Sequence, residues 1–171
     1  MGRAALSATI RTLGPADLSS VSEIFGWYAV NSVATFEEAP RPLNEWHALH
    51  AALDELGLPF LVAEQDGMVA GYAYAGPWRR KPAYRHTVED SVFIAPQLTG
   101  RGIGRQLLAG LLTASASAGA RQMIAVIADT GDDASVGLHA AFGFAHVGRL
   151  TAVGYKHGRW IDTLLMQRQL A

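Results

Sequence analysis

The chain has 171 residues, half of them hydrophobic and 17% charged, with a net charge of −1 and no cysteine. That length suits one domain with a substantial core, and the charge balance lacks the broad basic face that nucleic-acid binding needs. Disulfides, thiolate catalysis and cysteine-ligated metals are excluded, and no apolar stretch approaches the roughly 18 residues of a membrane span.

The Met1–Ser7 stretch lacks the apolar core of a signal peptide, so a cytoplasmic location is expected. Residues 8–13 alternate enough for an opening strand. Pro15 then starts a helix whose apolar residues Leu18, Val21, Ile24, Phe25 and Tyr28 keep helical spacing. A turn-like stretch over 34–42 leads to a second helix over 43–56, ended by Gly57 and Pro59. Strands over 60–64 and 69–75 flank Gln65-Asp66-Gly67, a hairpin signal. After Pro77 comes a polar turn with Arg79-Arg80-Lys81, which reads equally as a solvated turn or as a contact for an anion. A strand over 86–95, a glycine-rich loop and a helix over 105–118 follow. Residues 122–128 form a buried strand and 132–142 a helix closed by Gly143. A long hairpin of 144–155 and 160–167, turning at His157-Gly158, ends the chain. This order implies a single α/β domain over 1–171, a mixed twisted sheet with helices on both faces.

The densest chemistry lies in Val92-Phe93-Ile94-Ala95-Pro96-Gln97-Leu98-Thr99-Gly100-Arg101-Gly102-Ile103-Gly104. A strand, a loop of bare backbone and a helix N-terminus make a phosphate socket, because the first helical N–H groups lack intrahelical partners and the macrodipole is positive there. Glycines let the backbone come close to the ligand. A dinucleotide fingerprint would need glycine at 105, where Arg105 stands, although Asp129 at the end of 123–128 sits roughly where a ribose-binding acid belongs. A Walker loop fails for want of Gly-Lys-Ser/Thr. Gln97-x-x-Gly100-x-Gly102 resembles the acyl-CoA-binding motif of the GNAT superfamily of N-acetyltransferases, and the element order matches that fold along nearly the whole chain. The resemblance implies acetyl-CoA as cosubstrate.

Acyl transfer from a thioester to an amine needs a base for the ammonium and a proton for the departing thiolate. Glu89 is the carboxylate best placed, in a strand running into the phosphate loop among apolar or small neighbours that favour a raised pKa. By alternation, Asp90 points to the opposite face, so one of the two faces the site. His139 occupies a helical position where many GNAT enzymes carry tyrosine; it serves as base or acid, or packs in the core. His47 and His50 lack a partner acid pattern, so no zinc or other metal site is expected.

Two stretches narrow the family. Ala73-Tyr-Ala-Gly-Pro-Trp78 followed by Tyr84-x-x-Thr87-Val88-Glu89, and Gly154-Tyr-Lys-His-Gly-Arg-Trp160-x-Asp162, resemble the phosphinothricin and methionine sulfoximine acetyltransferase branch. Val33-Ala-Thr-Phe36 and Glu45-Trp46 match as well. The resemblance implies a small amino acid substrate acetylated on its α-amine, with Glu89 as base and His139 assisting; the alternatives are an acetyltransferase for another small amine and a non-catalytic acyl-CoA sensor. It implies Phe36, Arg79, Lys81, Tyr84 and Ser91 around the amino acid, although Phe36 and Tyr84 also read as core. Val92 and Ile94 would offer backbone groups to the pantetheine arm, a backbone N–H near Phe93 and Ile94 would polarise the thioester, and the amides of Arg101, Gly102, Ile103, Gly104 and Arg105 would hold the pyrophosphate. A homodimer built on the apolar C-terminal hairpin is expected. The chain departs from the branch at His86, where an aromatic residue is usual, at Phe93, where tyrosine is common, and in a longer turn at 129–133.

Overall fold

The computed structural model describes residues 8–171, so the expectation for Met1–Ser7 lies outside the described residues. The strands are β1 (Thr9–Thr12), β2 (Phe60–Gln65), β3 (Met68–Pro77), β4 (Thr87–Ile94), β5 (Gln122–Ala128), β6 (Ala145–Lys156) and β7 (Arg159–Gln169). The helices are α1 (Leu18–Asn31), α2 (Leu43–Glu55), α3 (Ile103–Ser117) and α4 (Ala134–Ala141). Helix α1 begins later than Pro15 because the Asp17 carboxylate accepts the Gly14 N–H at 2.8 Å and pairs with Arg11 at 2.7 Å, closing Pro15–Asp17 as a 3₁₀ turn. Helix α4 starts at Ala134 rather than 132, where the Asp132 carboxylate takes the Ala134 N–H at 2.9 Å.

The expected hairpins form. Asp66 and Gly67 both have positive φ between the paired Gln65 and Met68, and His157 and Gly158 repeat this between Lys156 and Arg159. Two successive left-handed residues are what a two-residue turn needs to match strand twist. The seven strands run in the order β1-β2-β3-β4-β5-β7-β6, antiparallel except for β4 beside β5.

Alternation along the strands divides the core in two. Leu61, Ala63, Ala73, Ala75 and Val88 pack against Leu107, Leu108 and Leu111 of α3, and Leu138 and Phe142 join them from α4 and its end. Phe60, Val62 and Tyr72 point the other way, onto Leu18, Val21 and Phe25 of α1 and Trp46 of α2. Helices thus cover both faces of a mixed sheet.

The parallel ladder between β4 and β5 is short. It joins Thr87, Val88 and Glu89 to Gln122, Met123 and Ile124 and then stops, although both strands continue. Beyond Glu89 the strands diverge, and the sheet opens into a fork.

Candidate active site

A cavity of about 1040 Å³ fills this fork. That is at the upper end of the range of small-molecule sites. It is walled by β4 from Glu89 to Ile94, by β5 from Ala125 to Ala128, by the start of α3, by α4, and by the segment after α1.

At one end lies the glycine-rich loop. Gly100 and Gly102 have φ of 74° and 80°, a left-handed backbone that a side chain disfavours, and a Cβ at either would meet no atom within 4 Å. Their glycine requirement is therefore conformational. Gly102 caps α3, which begins at Ile103, two residues before the expected start, and leaves the first amides of the helix at the cavity. Gly100, Gly102, Ile103, Gly104 and Arg105 line the cavity, and the Arg105 guanidinium also stacks over Phe142 at 5.3 Å. Gln97 and Arg101 do not line it. Gln97 sits in a 3₁₀ turn, and its carbonyl accepts a long 3.4 Å hydrogen bond from Arg101.

Glu89 is the last residue of β4 paired to β5, so its half-buried carboxylate stands where the strands part. Burial pushes its pKa above the ordinary carboxylate value; the charge of Asp90 adds to this, and Arg79 opposes it. Ser91 and Phe93 follow Glu89 on the α1/α2 face, cross-strand from Tyr74 and Tyr72. Phe93 packs against Phe25 and Tyr28, with ring centroids 5.6 and 5.3 Å apart. Val92 and Ile94 face α3. All six β4 residues from Glu89 to Ile94, Asp90 included, line the cavity.

Alternation does put Asp90 on the opposite face from Glu89, yet both carboxylates border the same space. The physical reason is the fork: a gap between strands is open to residues from either face. His139 meets Asp90 rather than Glu89. Its Nε2 lies 2.7 Å from the Asp90 carboxylate, its Nδ1 lies 2.7 Å from the Ser135 carbonyl, and its ring stands edge-on to Phe144 at 5.0 Å. Both members of the pair are buried. Burial works to lower the histidine pKa, but the Asp90 hydrogen bond and charge, with the Ser135 carbonyl, hold it above its ordinary value.

Phe36 lines the cavity from the segment after α1. Its ring lies over Gly154 so closely that a Cβ there would overlap it. Buried Lys156 fixes that segment by donating to the carbonyls of Thr35 at 2.8 Å and Glu37 at 2.6 Å. Arg79, Lys81 and Tyr84 do not line the cavity. Arg79 stacks on Trp78 at 4.8 Å, Lys81 is exposed, and Tyr84 closes an exposed 3₁₀ turn. Sequence reasoning missed Tyr28, whose hydroxyl donates to the Ile94 carbonyl at 2.7 Å, and Arg41, a cation in the cavity wall stacked 4.6 Å over Trp46. Tyr28 carried the helical apolar spacing and read as core; Arg41 stood between two prolines in a turn, with no spacing to mark it. Among the described residues, no group of three or more His, Asp or Glu side chains is arranged to hold a metal ion.

Residues 10–165 match the family model described as an acetyltransferase (GNAT) domain. The phosphinothricin N-acetyltransferase of Alcaligenes faecalis is 47% identical over 96% of this chain and 83% of its own length. The L-methionine sulfoximine/L-methionine sulfone acetyltransferase of Salmonella typhimurium is 36% identical over 95% of this chain and 94% of its own. The crystal structure of a phosphinothricin acetyltransferase from Sinorhizobium meliloti, in complex with acetyl-CoA, superposes with a TM-score of 0.92 at 43% identity, covering 96% of this chain and 89% of that one. A glycine-capped helix, a forked sheet and a half-buried carboxylate at the fork thus stand in a chain that belongs to the GNAT family of acetyltransferases, in its phosphinothricin and methionine sulfoximine acetyltransferase branch.

Proposed function

We propose that the protein transfers acetyl from acetyl-CoA to the α-amine of a small amino acid analogue: phosphinothricin, methionine sulfoximine or methionine sulfone. The observation that carries this reading is one continuous cavity joining the N-terminus of α3 to the Glu89 carboxylate through the β4–β5 fork. The amides from Gly102 to Arg105 hold the pyrophosphate, as unpartnered helix N-termini do. The pantetheine arm lies along β4 at Val92 to Ile94, and an N–H near Phe93 and Ile94 polarises the thioester oxygen. Glu89 takes a proton from the substrate ammonium. The freed amine attacks the acetyl carbon, the C–N bond forms, the C–S bond breaks, the attacking nitrogen releases its second proton to solvent, and the thiolate takes one up from solvent. Phe36 and Ser91 border the acceptor.

One observation favours a different small amine as acceptor: Arg79, Lys81 and Tyr84, which the family resemblance assigns to the amino acid, stand outside the cavity. We further propose a single domain that pairs as a homodimer. The β6–β7 hairpin supports this, because β6 is an edge strand on which Val147, Leu150, Val153 and Tyr155 are exposed, with Trp160 exposed beside them on β7. A cytoplasmic location completes the proposal.

The test is acetyl-CoA-dependent thiol release with phosphinothricin, methionine sulfoximine, methionine sulfone, spermidine and methionine in parallel. Release with any of the first three is expected, and the ratio of kcat/KM names the substrate. Glu89→Gln is expected to lower kcat by about 10²- to 10⁴-fold while the acetyl-CoA Kd holds, as loss of a general base does. Silence with all five alongside measurable CoA binding refutes the substrate reading.

A further inference from the structure

His139 and Asp90 form a hydrogen-bonded chain with an unusual proton count. Nδ1 faces the Ser135 carbonyl, which only accepts, so Nδ1 carries a hydrogen. Nε2 faces the Asp90 carboxylate, which also accepts when ionised, so a hydrogen lies on that contact too. The 2.7 Å separation is that of a charge-assisted N–H to carboxylate bond. Two acceptors on two ring nitrogens leave no lone pair with which to take a proton. Nor is an N–H left over to give one.

Position argues the same way. Asp90 lies on the α3/α4 face of β4 with Val88 and Val92, whereas Glu89 lies on the α1/α2 face with Ser91 and Phe93. Among the described residues, Asp90 is the one charged side chain hydrogen-bonded to the ring, Phe144 covers an edge of it, and its own helix supplies the Ser135 carbonyl. His139 is also the buried residue of α4, an eight-residue helix.

We propose that Asp90 is a positioning residue that keeps His139 as an imidazolium, so that the pair pins α4 to β4 and takes no part in proton transfer, leaving Glu89 to serve alone. The pair is neutral overall, which suits its burial. In Asp90→Asn the side-chain amide donates to Nε2 instead, and the ring becomes neutral with its hydrogen on Nδ1.

Nitrogen-15 NMR of the unliganded wild-type protein reads this directly and needs no acetyl transfer, so its outcome is separate from the substrate reading on which the kinetic arm rests. Both His139 nitrogens are expected to be protonated at neutral pH, where a free histidine has largely lost one of its two protons. A pyridine-type nitrogen on His139 at neutral pH overturns the proposal. In Asp90→Asn, His139 is expected to be neutral at about pH 7, and kcat/KM to fall by less than about tenfold, short of the loss expected on removing a general base. The acid limb of kcat/KM is expected to stand about one pH unit or more from the His139 titration in that variant. Coincidence of the two overturns the proposal, because the histidine would then be the titrating base.

Discussion

Replacing Lys156 with methionine tests whether the acceptor side of the cavity is held by two hydrogen bonds. The residue is 2% exposed, and its ammonium donates to the Thr35 and Glu37 carbonyls on either side of Phe36. Burial pushes its pKa down, with Glu38 and Glu37 countering. Hydrogen bonds involving a charged group contribute about 1.5–3 kcal/mol each, or roughly 3–6 kcal/mol for the pair. Desolvating an ammonium costs several kcal/mol in return. Methionine keeps the stem and removes both terms, while the two carbonyls regain water as the exposed segment loosens. A net loss of about 2 kcal/mol remains, enough to reduce the population of the closed segment by more than tenfold. The expected result is a rise in KM for the amino acid of about 10- to 30-fold, kcat within roughly threefold, and a Tm lower by about 4–8 °C. Steady-state kinetics over acceptor concentration, with acetyl-CoA saturating, makes the measurement. An unchanged acceptor KM in a folded variant would refute the reasoning, because the segment would then be held by something other than Lys156.

Gly154→Ala should raise the acceptor KM as well, since its Cβ overlaps the Phe36 ring, with acetyl-CoA affinity unchanged in calorimetry. Arg79 lowers the pKa of Glu89 without lining the cavity, so Arg79→Gln should move the acid limb of kcat/KM upward; a limb that stays or falls contradicts that influence. Glu89 also links to stability. Its folded pKa is raised, so its contribution is fully present below the unfolded value, about 4.5, and is lost as pH rises through the folded value. Glu89→Gln should therefore melt higher than wild type at neutral pH, with the advantage vanishing below about pH 4.5.

Much of this was legible in the chain because it is local. The glycines at 100 and 102, the Asp66-Gly67 and His157-Gly158 turns and the alternation of β4 are decided by neighbours a few residues away. The start of α3 was misplaced by two residues because nothing local showed that left-handed Gly102 would serve as the cap. The pairing of His139 with Asp90 was hidden for a different reason. It joins residues 49 apart in sequence, across an opening that exists only because a parallel ladder ends early. Lys156 and Thr35 are separated by 121 residues, and no spacing rule reaches that far.

The division of the core by sheet face has a consequence for how such an enzyme changes over time. The phosphate-facing helix packs on one side of the sheet, whereas Phe93, Tyr74 and the aromatic cluster beneath Arg41 pack on the other. Away from the fork, mutations that reshape the second layer leave the first undisturbed, because there a strand residue that faces one layer is screened from the other by the sheet. A lineage can therefore explore new acceptors one side chain at a time while its grip on the acyl donor is inherited intact.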